Sequence, residues 1–126
     1  MKRDVDLIRS LLLFIEKDAV GGSMYYYRYV DLADQFSIDS HTILGHIRLL
    51  AGAGFIENFT LSISRFDFSG LSWQGHDFLD SIRDTEIWKQ TKEAASKAGG
   101  FTVELLAEIA KGLISTKIKK HTGVEI

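Results

Sequence analysis

Residues 31–53 hold two apolar-periodic segments joined by a very short turn, and this spacing restricts the fold more than any other feature of the chain. The first segment, Asp31–Phe36, is long enough for one short helix. Ser37–Asp39 then forms a turn, with Ile38 as an apolar plug between the helices. The second segment, from Ser40 to about Ala53, places apolar residues at three- and four-residue spacing, which is typical of an amphipathic helix. The pattern predicts a helix-turn-helix.

A β-hairpin is predicted directly after the second helix. Gly54 ends that helix as a left-handed cap, because glycine adopts a positive φ without steric cost. Phe55 to about Leu61 is predicted as one strand and Arg65 to about Ser69 as its partner, with Ser62–Ser64 at the tip. Helix, turn, helix and hairpin in this order predict a winged helix-turn-helix, an α+β fold that is mostly α.

Further elements are predicted on either side of this unit. Before it, the sequence predicts a helix over Asp4–Lys17, a helix stop at Gly21-Gly22 and an aromatic strand within Met24–Val30. After it, the sequence predicts a helix from Ser72 to Asp84 and a second helix from Asp84 to Gly99-Gly100. A final helix is capped by Thr102, and the basic end at Lys117–Gly123 is predicted to be frayed. The predicted domains are a winged helix-turn-helix over residues 1–84 and a C-terminal helical extension over residues 85–126. The predicted buried anchors are Leu12, Leu32, Ile47, Leu50, Phe55, Trp73, Phe78 and Leu79.

The composition argues against several classes of protein. The chain has no cysteine, which excludes disulfides and thiolate metal sites and is compatible with a reducing compartment. The apolar run Leu11–Ile15 is too short to span a bilayer, so no membrane association is expected and a cytoplasmic location is predicted. The net charge of −2 argues against strong non-specific binding of nucleic acid, since proteins that neutralise many phosphates are usually basic.

One face of the second helix is the candidate DNA-binding surface. In a winged helix this face enters the major groove, where polar side chains contact base edges and phosphates. The candidate residues are Ser40, His41, Thr42, Gly45, His46 and Arg48 on the helix and Arg65 on the hairpin. Strong DNA readers usually carry several lysines or arginines on this helix, whereas Arg48 is the only one here. A regulator that binds double-stranded DNA is therefore predicted, with a non-catalytic module that binds another protein as the alternative.

No catalytic, metal or cofactor site is predicted. His41 and His46 are five residues apart, whereas a pair of zinc ligands on one helix face is four apart. His76 lies beside Asp77 and near Asp80, but no nucleophile or oxyanion-binding group accompanies them. A structural histidine is therefore favoured over acid–base chemistry, and the chain is predicted not to be an enzyme.

The last helix is predicted to mediate a homodimer. Val103, Leu106, Ala110 and Leu113 follow the three-four-three spacing of a helix seam. The apolar stripe is wider than a two-helix seam needs, so one flank is expected to pack on the helix of Trp88 and the other on a partner subunit. The alternative is that this helix buries its whole stripe within the monomer.

Several longer motifs complete the sequence pattern. They are Met1–Arg9, His46–Leu50, Ala53–Ile56, Leu71–Asp80, Ile82–Asp84, Trp88 and Thr91-Lys92. Together they resemble the bacterial and prophage proteins grouped as domain of unknown function 2513, over nearly the whole chain. The resemblance implies a winged helix with a helical C-terminal extension and no established activity. Because such proteins commonly occur in phages and prophages, it also implies a phage-type regulator or host-interaction protein rather than a metabolic enzyme.

Overall fold

The fold consists of two compact units, Met1–His76 and Asp77–Ile126. The computed structural model describes residues 1–19 and 23–123, so the predicted helix stop at Gly21-Gly22 lies outside the described residues. Over the described part of the chain, the fold is α+β and mostly helical, with six helices and five short strands. None of these helices combines the length and the apolar character that crossing a membrane requires.

The six helices, the aromatic strand and the hairpin follow the order predicted from the sequence, but the strands number five instead of the predicted three. The elements are α1 (Val5–Asp18), β1 (Tyr25–Arg28), α2 (Tyr29–Phe36), α3 (Ser40–Gly52), β2 (Ile56–Glu57), β3 (Thr60–Leu61), β4 (Arg65–Phe68), β5 (Gly70–Leu71), α4 (Trp73–Ile82), α5 (Thr85–Ala98) and α6 (Val103–Thr122). Side chains cap five of the helices by accepting main-chain N–H bonds, and the capping residues are Asp4, Asp39, Ser72, Asp84 and Thr102. These local hydrogen bonds explain why the helix starts are readable from the sequence.

The turn between α2 and α3 is closed by one residue in the left-handed region. Ser37 has φ 55°, and Ile38 donates its N–H to the carbonyl oxygen of Ala33 at 3.0 Å. Asp39 then begins α3, because its carboxylate accepts the N–H of Thr42 at 2.9 Å. The two predicted helices and the turn between them are confirmed.

The strands form two small antiparallel sheets within the first unit. β4 lies in the middle of a three-stranded sheet, with β1 and β3 on either side, and the register pairs Tyr26 with Asp67 and Leu61 with Phe66. β2 and β5 form the second sheet, in which Ile56 pairs with Leu71. The predicted aromatic strand is therefore confirmed as β1, and it pairs with β4 of the hairpin.

The predicted single strand from Phe55 to Leu61 is wrong. Asn58 interrupts it with φ 57°, a left-handed conformation that asparagine tolerates better than most residues. The Asn58 side chain donates to the Ser69 hydroxyl at 2.9 Å, which helps to hold the break. The two halves therefore become β2 and β3 and belong to different sheets.

The core of the first unit is formed by one face each of α1, α2 and α3 and by aromatic side chains of the three-stranded sheet. Seven of the eight predicted anchors are buried: Leu12, Leu32, Ile47, Leu50 and Phe55 in the first unit, and Phe78 and Leu79 in the second. The prediction for Trp73 is wrong, because this residue is 79% exposed at the first position of α4. The close approach of α4 to the chain at Phe55 occurs two residues later, through Gly75.

The second unit contains a helical hairpin of α5 and α6, which pack against each other. Thr91 and Ala95 of α5 and Leu106 and Ala110 of α6 are buried. The predicted fraying at Lys117–Gly123 is wrong: α6 continues to Thr122, and Gly123 caps it with φ 73°. Three basic residues in its last turn are favourable there, since they oppose the negative end of the helix dipole.

Candidate nucleic-acid interface

The candidate interface is the face of α3 that points away from the core. Ile43, Ile47 and Leu50 bury the opposite face, which holds α3 against α1 and α2. His41 and Arg48 are exposed as predicted. Both can offer hydrogen bonds to a groove or to a phosphate.

Two further candidates, Ser40 and Thr42, are half-buried at the start of α3. The Thr42 hydroxyl donates to the Asp39 carboxylate at 2.7 Å, so its proton is already committed to the cap of the helix. Hydrogen bonds from Thr42 hold the pKa of the Asp39 carboxyl below its usual range. Thr42 therefore presents little more than its methyl group and a hydroxyl lone pair to a partner.

His46 does not belong to the exposed face, and the prediction that it is exposed is wrong. Its side chain is fully buried. Nε2 accepts the main-chain N–H of Asp4 at 2.8 Å, and Nδ1 lies 2.8 Å from the carbonyl oxygen of Thr42, to which it donates. Both nitrogens are therefore used inside the fold, in the neutral form protonated on Nδ1, and neither is available to a base.

The spacing of the apolar residues contained a signal for this burial. His46 lies three residues after Ile43 and four before Leu50, on the same stripe as Ile47. A histidine at such a position faces the core, where it needs main-chain partners because buried polar groups are costly when unpaired. The fold meets this need through Asp4 and Thr42.

Gly45 is covered by the N-terminus of the chain. A Cβ added to this residue would collide with the sulfur of Met1, which rests against the glycine backbone. Together with the hydrogen bond from Asp4 to His46, this contact places residues 1–4 along α3. No local pattern in the sequence predicts this arrangement.

Tyr29 anchors the hairpin tip beside the start of α2. Its hydroxyl donates to the carbonyl oxygens of Ser62 at 2.7 Å and Arg65 at 3.0 Å. Burial raises the pKa of this hydroxyl, and the positive charge of Arg48 acts on it in the opposite direction.

The two other arginines near the hairpin are already engaged with carboxylates. Arg28 donates two hydrogen bonds to Asp31, at 2.9 and 3.0 Å, which hold the pKa of that carboxyl below its usual range. Arg65 lies 3.4 Å from Asp67, and its guanidinium stacks over the Tyr26 ring at 4.6 Å from the centroid. Arg65 is exposed, as predicted. The carboxylates of Asp31 and Asp67 partly neutralise the charges of Arg28 and Arg65.

The charge of the whole unit is also unfavourable for indiscriminate DNA binding. Residues 1–76 contain seven lysines and arginines against nine aspartates and glutamates, which gives a formal charge of −2. An interface of this kind releases few counterions, so its affinity has to come from a small number of well-placed contacts.

The residues predicted for a homodimer interface are divided by the fold. Leu106 and Ala110 are buried within the second unit, where α6 packs on α5, so their assignment to a partner surface is wrong. Val103 and Leu113 are half-buried. A homodimer stays a prediction. Of the four residues predicted for its interface, only Val103 and Leu113 are accessible enough to contact a partner subunit.

His76, near the start of α4, lies at the surface. His76 is half-exposed, and its Nδ1 lies 3.9 Å from the carboxylate of Glu16. Among residues 1–19 and 23–123, no group of three or more histidine, aspartate or glutamate side chains is arranged to hold a metal ion.

The burial of His46 leads to a prediction for stability. We expect His46→Ala to lower the free energy of unfolding by about 1–3 kcal/mol, because it leaves the Asp4 N–H without its acceptor and removes the imidazole from the Thr42 carbonyl. His41→Ala is the matched control on the exposed face, with an expected change below about 0.5 kcal/mol. Urea unfolding followed by circular dichroism measures both, and equal stabilities would contradict the buried role of His46.

Comparison with known proteins identifies relatives but no activity. A family model described as hypothetical protein (DUF2513) matches residues 2–102, which confirms the resemblance found in the motifs. An uncharacterized protein of Haemophilus influenzae is 36% identical over 125 residues, covering 91% of this chain and 97% of that protein. No solved structure matches the chain.

Proposed function

This chain belongs to the DUF2513 family, and we propose that it is a winged-helix protein that binds double-stranded DNA and regulates transcription. The observation that carries the proposal is the position of Arg48. It is exposed on α3, opposite the buried stripe, where its guanidinium can donate hydrogen bonds to a base edge or a phosphate.

The arrangement of the first unit supports the winged-helix assignment. α1, β1, α2, α3 and the β3–β4 hairpin follow one another, and β1 pairs with β4 so that the hairpin is held in a three-stranded sheet. This is the element order expected when a second helix reads the major groove and a hairpin lies beside it. The fold by itself is an analogy, so the function rests on the side chains of the surface.

The charges on this surface favour selective over indiscriminate binding. Arg28 and Arg65 share their charge with Asp31 and Asp67, and the unit is net negative. Few phosphates would be neutralised, so the dependence of affinity on salt should be shallow, with a slope of about −0.9 for each phosphate contacted. Discrimination would then depend on base contacts from the exposed part of α3, with Arg48 the strongest donor.

Selection from a pool of random DNA duplexes tests the proposal. We expect the wild-type protein to enrich a preferred sequence, and Arg48→Ala to weaken binding to it by roughly 5- to 150-fold, the equivalent of about 1–3 kcal/mol. Arg83→Ala is the matched control, because Arg83 lies in the second unit and is paired with Asp80. Binding constants are measured by fluorescence anisotropy on the enriched duplex.

Two outcomes would contradict this function. If no sequence is enriched and no duplex binds at low salt, the DNA proposal is wrong. If the enriched duplex binds Arg48→Ala and Arg83→Ala equally well, DNA is bound by another surface than α3.

A second candidate, a module that binds another protein, is supported by exposed apolar side chains. Ile63 at the hairpin tip is fully exposed, and Trp73 is 79% exposed at the start of α4. Large apolar side chains in such positions are more typical of protein contacts than of contacts with phosphates. A phage-type protein could use them to bind and modulate a host complex, and failure of the duplex selection would favour this candidate.

A further inference from the structure

We propose that the first three residues, Met1–Arg3, form an N-terminal arm that extends the DNA-binding surface and contacts the phosphate backbone beside α3. This inference rests on the proposed DNA-binding function and adds a binding element that the predictions from the sequence did not include. Three observations support it. Asp4 and Met1 both contact α3, Lys2 and Arg3 lie between these two contacts, and α3 itself carries a single arginine.

The arm is attached at its inner end through Asp4. The main-chain N–H of Asp4 donates to Nε2 of His46 in α3, while the Asp4 carboxylate accepts the N–H groups of Asp6 at 3.0 Å and Leu7 at 3.2 Å. Asp4 is therefore fixed between the start of α1 and the middle of α3. Its carboxylate is occupied by the cap of α1, which reduces its repulsion of a nearby phosphate.

The arm is attached at its outer end through Met1. The Met1 sulfur rests on Gly45, where any larger residue would occupy the same space. Gly45 and His46 are consecutive in α3, so both attachment points lie on the same stretch of this helix. Met1 nevertheless remains 72% exposed, which shows that the arm runs over the surface and not into the core.

Between these two points lie Lys2 and Arg3, both exposed. They bring two cationic side chains to a helix that has a single one of its own, Arg48. Long basic side chains on a short arm are suited to phosphates, which need charge but little geometric precision, whereas base recognition needs a rigidly placed side chain. The structure therefore assigns positioning on the DNA backbone to the arm and base contacts to α3.

The test compares salt dependence in two doubly substituted proteins of equal charge. In the arm variant, Lys2→Ala and Arg3→Ala are combined; in the control, Lys89→Ala and Lys97→Ala remove two exposed cations from α5. Any purification tag is placed at the C-terminus so that Met1 stays in contact with Gly45. Binding to the enriched duplex and to a scrambled duplex is measured by anisotropy across a range of salt concentrations.

We expect the arm variant to lose affinity for both duplexes by the same factor and to keep its preference between them. The slope of log affinity against log salt should become shallower by about 1.8, since each lost phosphate contact contributes about 0.9. The control should keep the wild-type slope. This combination would establish backbone contact by the arm.

Three results would overturn the inference, and they are distinguishable. An unchanged slope in the arm variant, or an equal change in the control, would refute the arm while leaving DNA binding by α3 intact. A loss confined to the enriched duplex would assign base recognition to the arm and refute its backbone role. If the wild-type protein binds neither duplex, the proposed function fails and the arm proposal fails with it.

Discussion

Replacing Phe66 with alanine is expected to lower the free energy of unfolding by about 3–5 kcal/mol. Phe66 lies in the central strand of the three-stranded sheet and is fully buried. Its ring contacts four other aromatic rings, at centroid distances of 5.6 Å for Tyr29, 5.8 Å for Phe68, 5.9 Å for Tyr27 and 6.4 Å for Phe59. Truncation removes these contacts and leaves a cavity between rigid rings that cannot collapse easily.

Tyr26→Ala is the matched control for this prediction, because Tyr26 belongs to the same sheet but is 65% exposed. Its main interaction is with the Arg65 guanidinium, so we expect a loss of at most about 1 kcal/mol. Urea unfolding gives both values from the transition midpoints. If the two variants unfold at the same urea concentration, the aromatic cluster around Phe66 does not stabilise the first unit.

The substitution Gly75→Ala is expected to cost about 3 kcal/mol, although a single methyl group is added and alanine favours helices. A Cβ on Gly75 would overlap the carbonyl oxygen of Phe55 and lie 3.1 Å from its carbonyl carbon. The Phe55 carbonyl cannot move away freely, since it accepts the N–H of Ser72 at 2.9 Å. The Ser72 hydroxyl in turn accepts the Gly75 N–H at 3.0 Å, so α4 cannot shift without losing its cap.

Gly112→Ala provides the opposite expectation within the same protein. Gly112 lies inside α6, and no atom lies within 4 Å of the position that its Cβ would occupy. Alanine should therefore stabilise the chain by roughly 0.5–1 kcal/mol through its higher helix propensity. Thermal unfolding of the two variants should shift in opposite directions, and a stabilised Gly75→Ala protein would contradict the close contact between α4 and Phe55.

Elements whose determinants lie within a few residues were predicted well. The caps at Asp39, Asp84 and Thr102 are each satisfied by an N–H three residues further along, so the sequence pattern and the hydrogen bond coincide. The same holds for Ser72 at the start of α4. Apolar spacing likewise predicted the buried faces of the helices, because the helix geometry alone decides which side chains share a face.

Elements decided by distant contacts were predicted less well. The break at Asn58 separates β2 from β3 because their partners, β5 and β4, belong to different sheets. Trp73 is as apolar as the buried anchors, but no residue of the described chain covers most of its side chain. Which residues cover a side chain at the first turn of a helix depends on the tertiary arrangement and not on the local spacing.

The candidate site shows the same division. The sequence indicated which helix carries it and that Arg48 and His41 are exposed, since both follow from the position of the apolar stripe. The position of His46 between Ile43 and Leu50 on the apolar stripe indicated that it is buried. It was nevertheless predicted to be exposed, because its side chain can form hydrogen bonds with DNA. The contacts of Met1 with Gly45 and of Asp4 with His46 connect residues more than forty positions apart, and no local pattern encodes them.

The sequence by itself determined the number and order of the helices, the capping of several of them and most of the core, because these depend on short-range hydrogen bonds and on helical periodicity. Only the tertiary structure decided that His46 accepts the main-chain N–H of Asp4, that Met1 covers Gly45, and that α6 buries Leu106 and Ala110 against α5. These features arise where separate segments of the chain meet, so they depend on shape complementarity that local periodicity does not record.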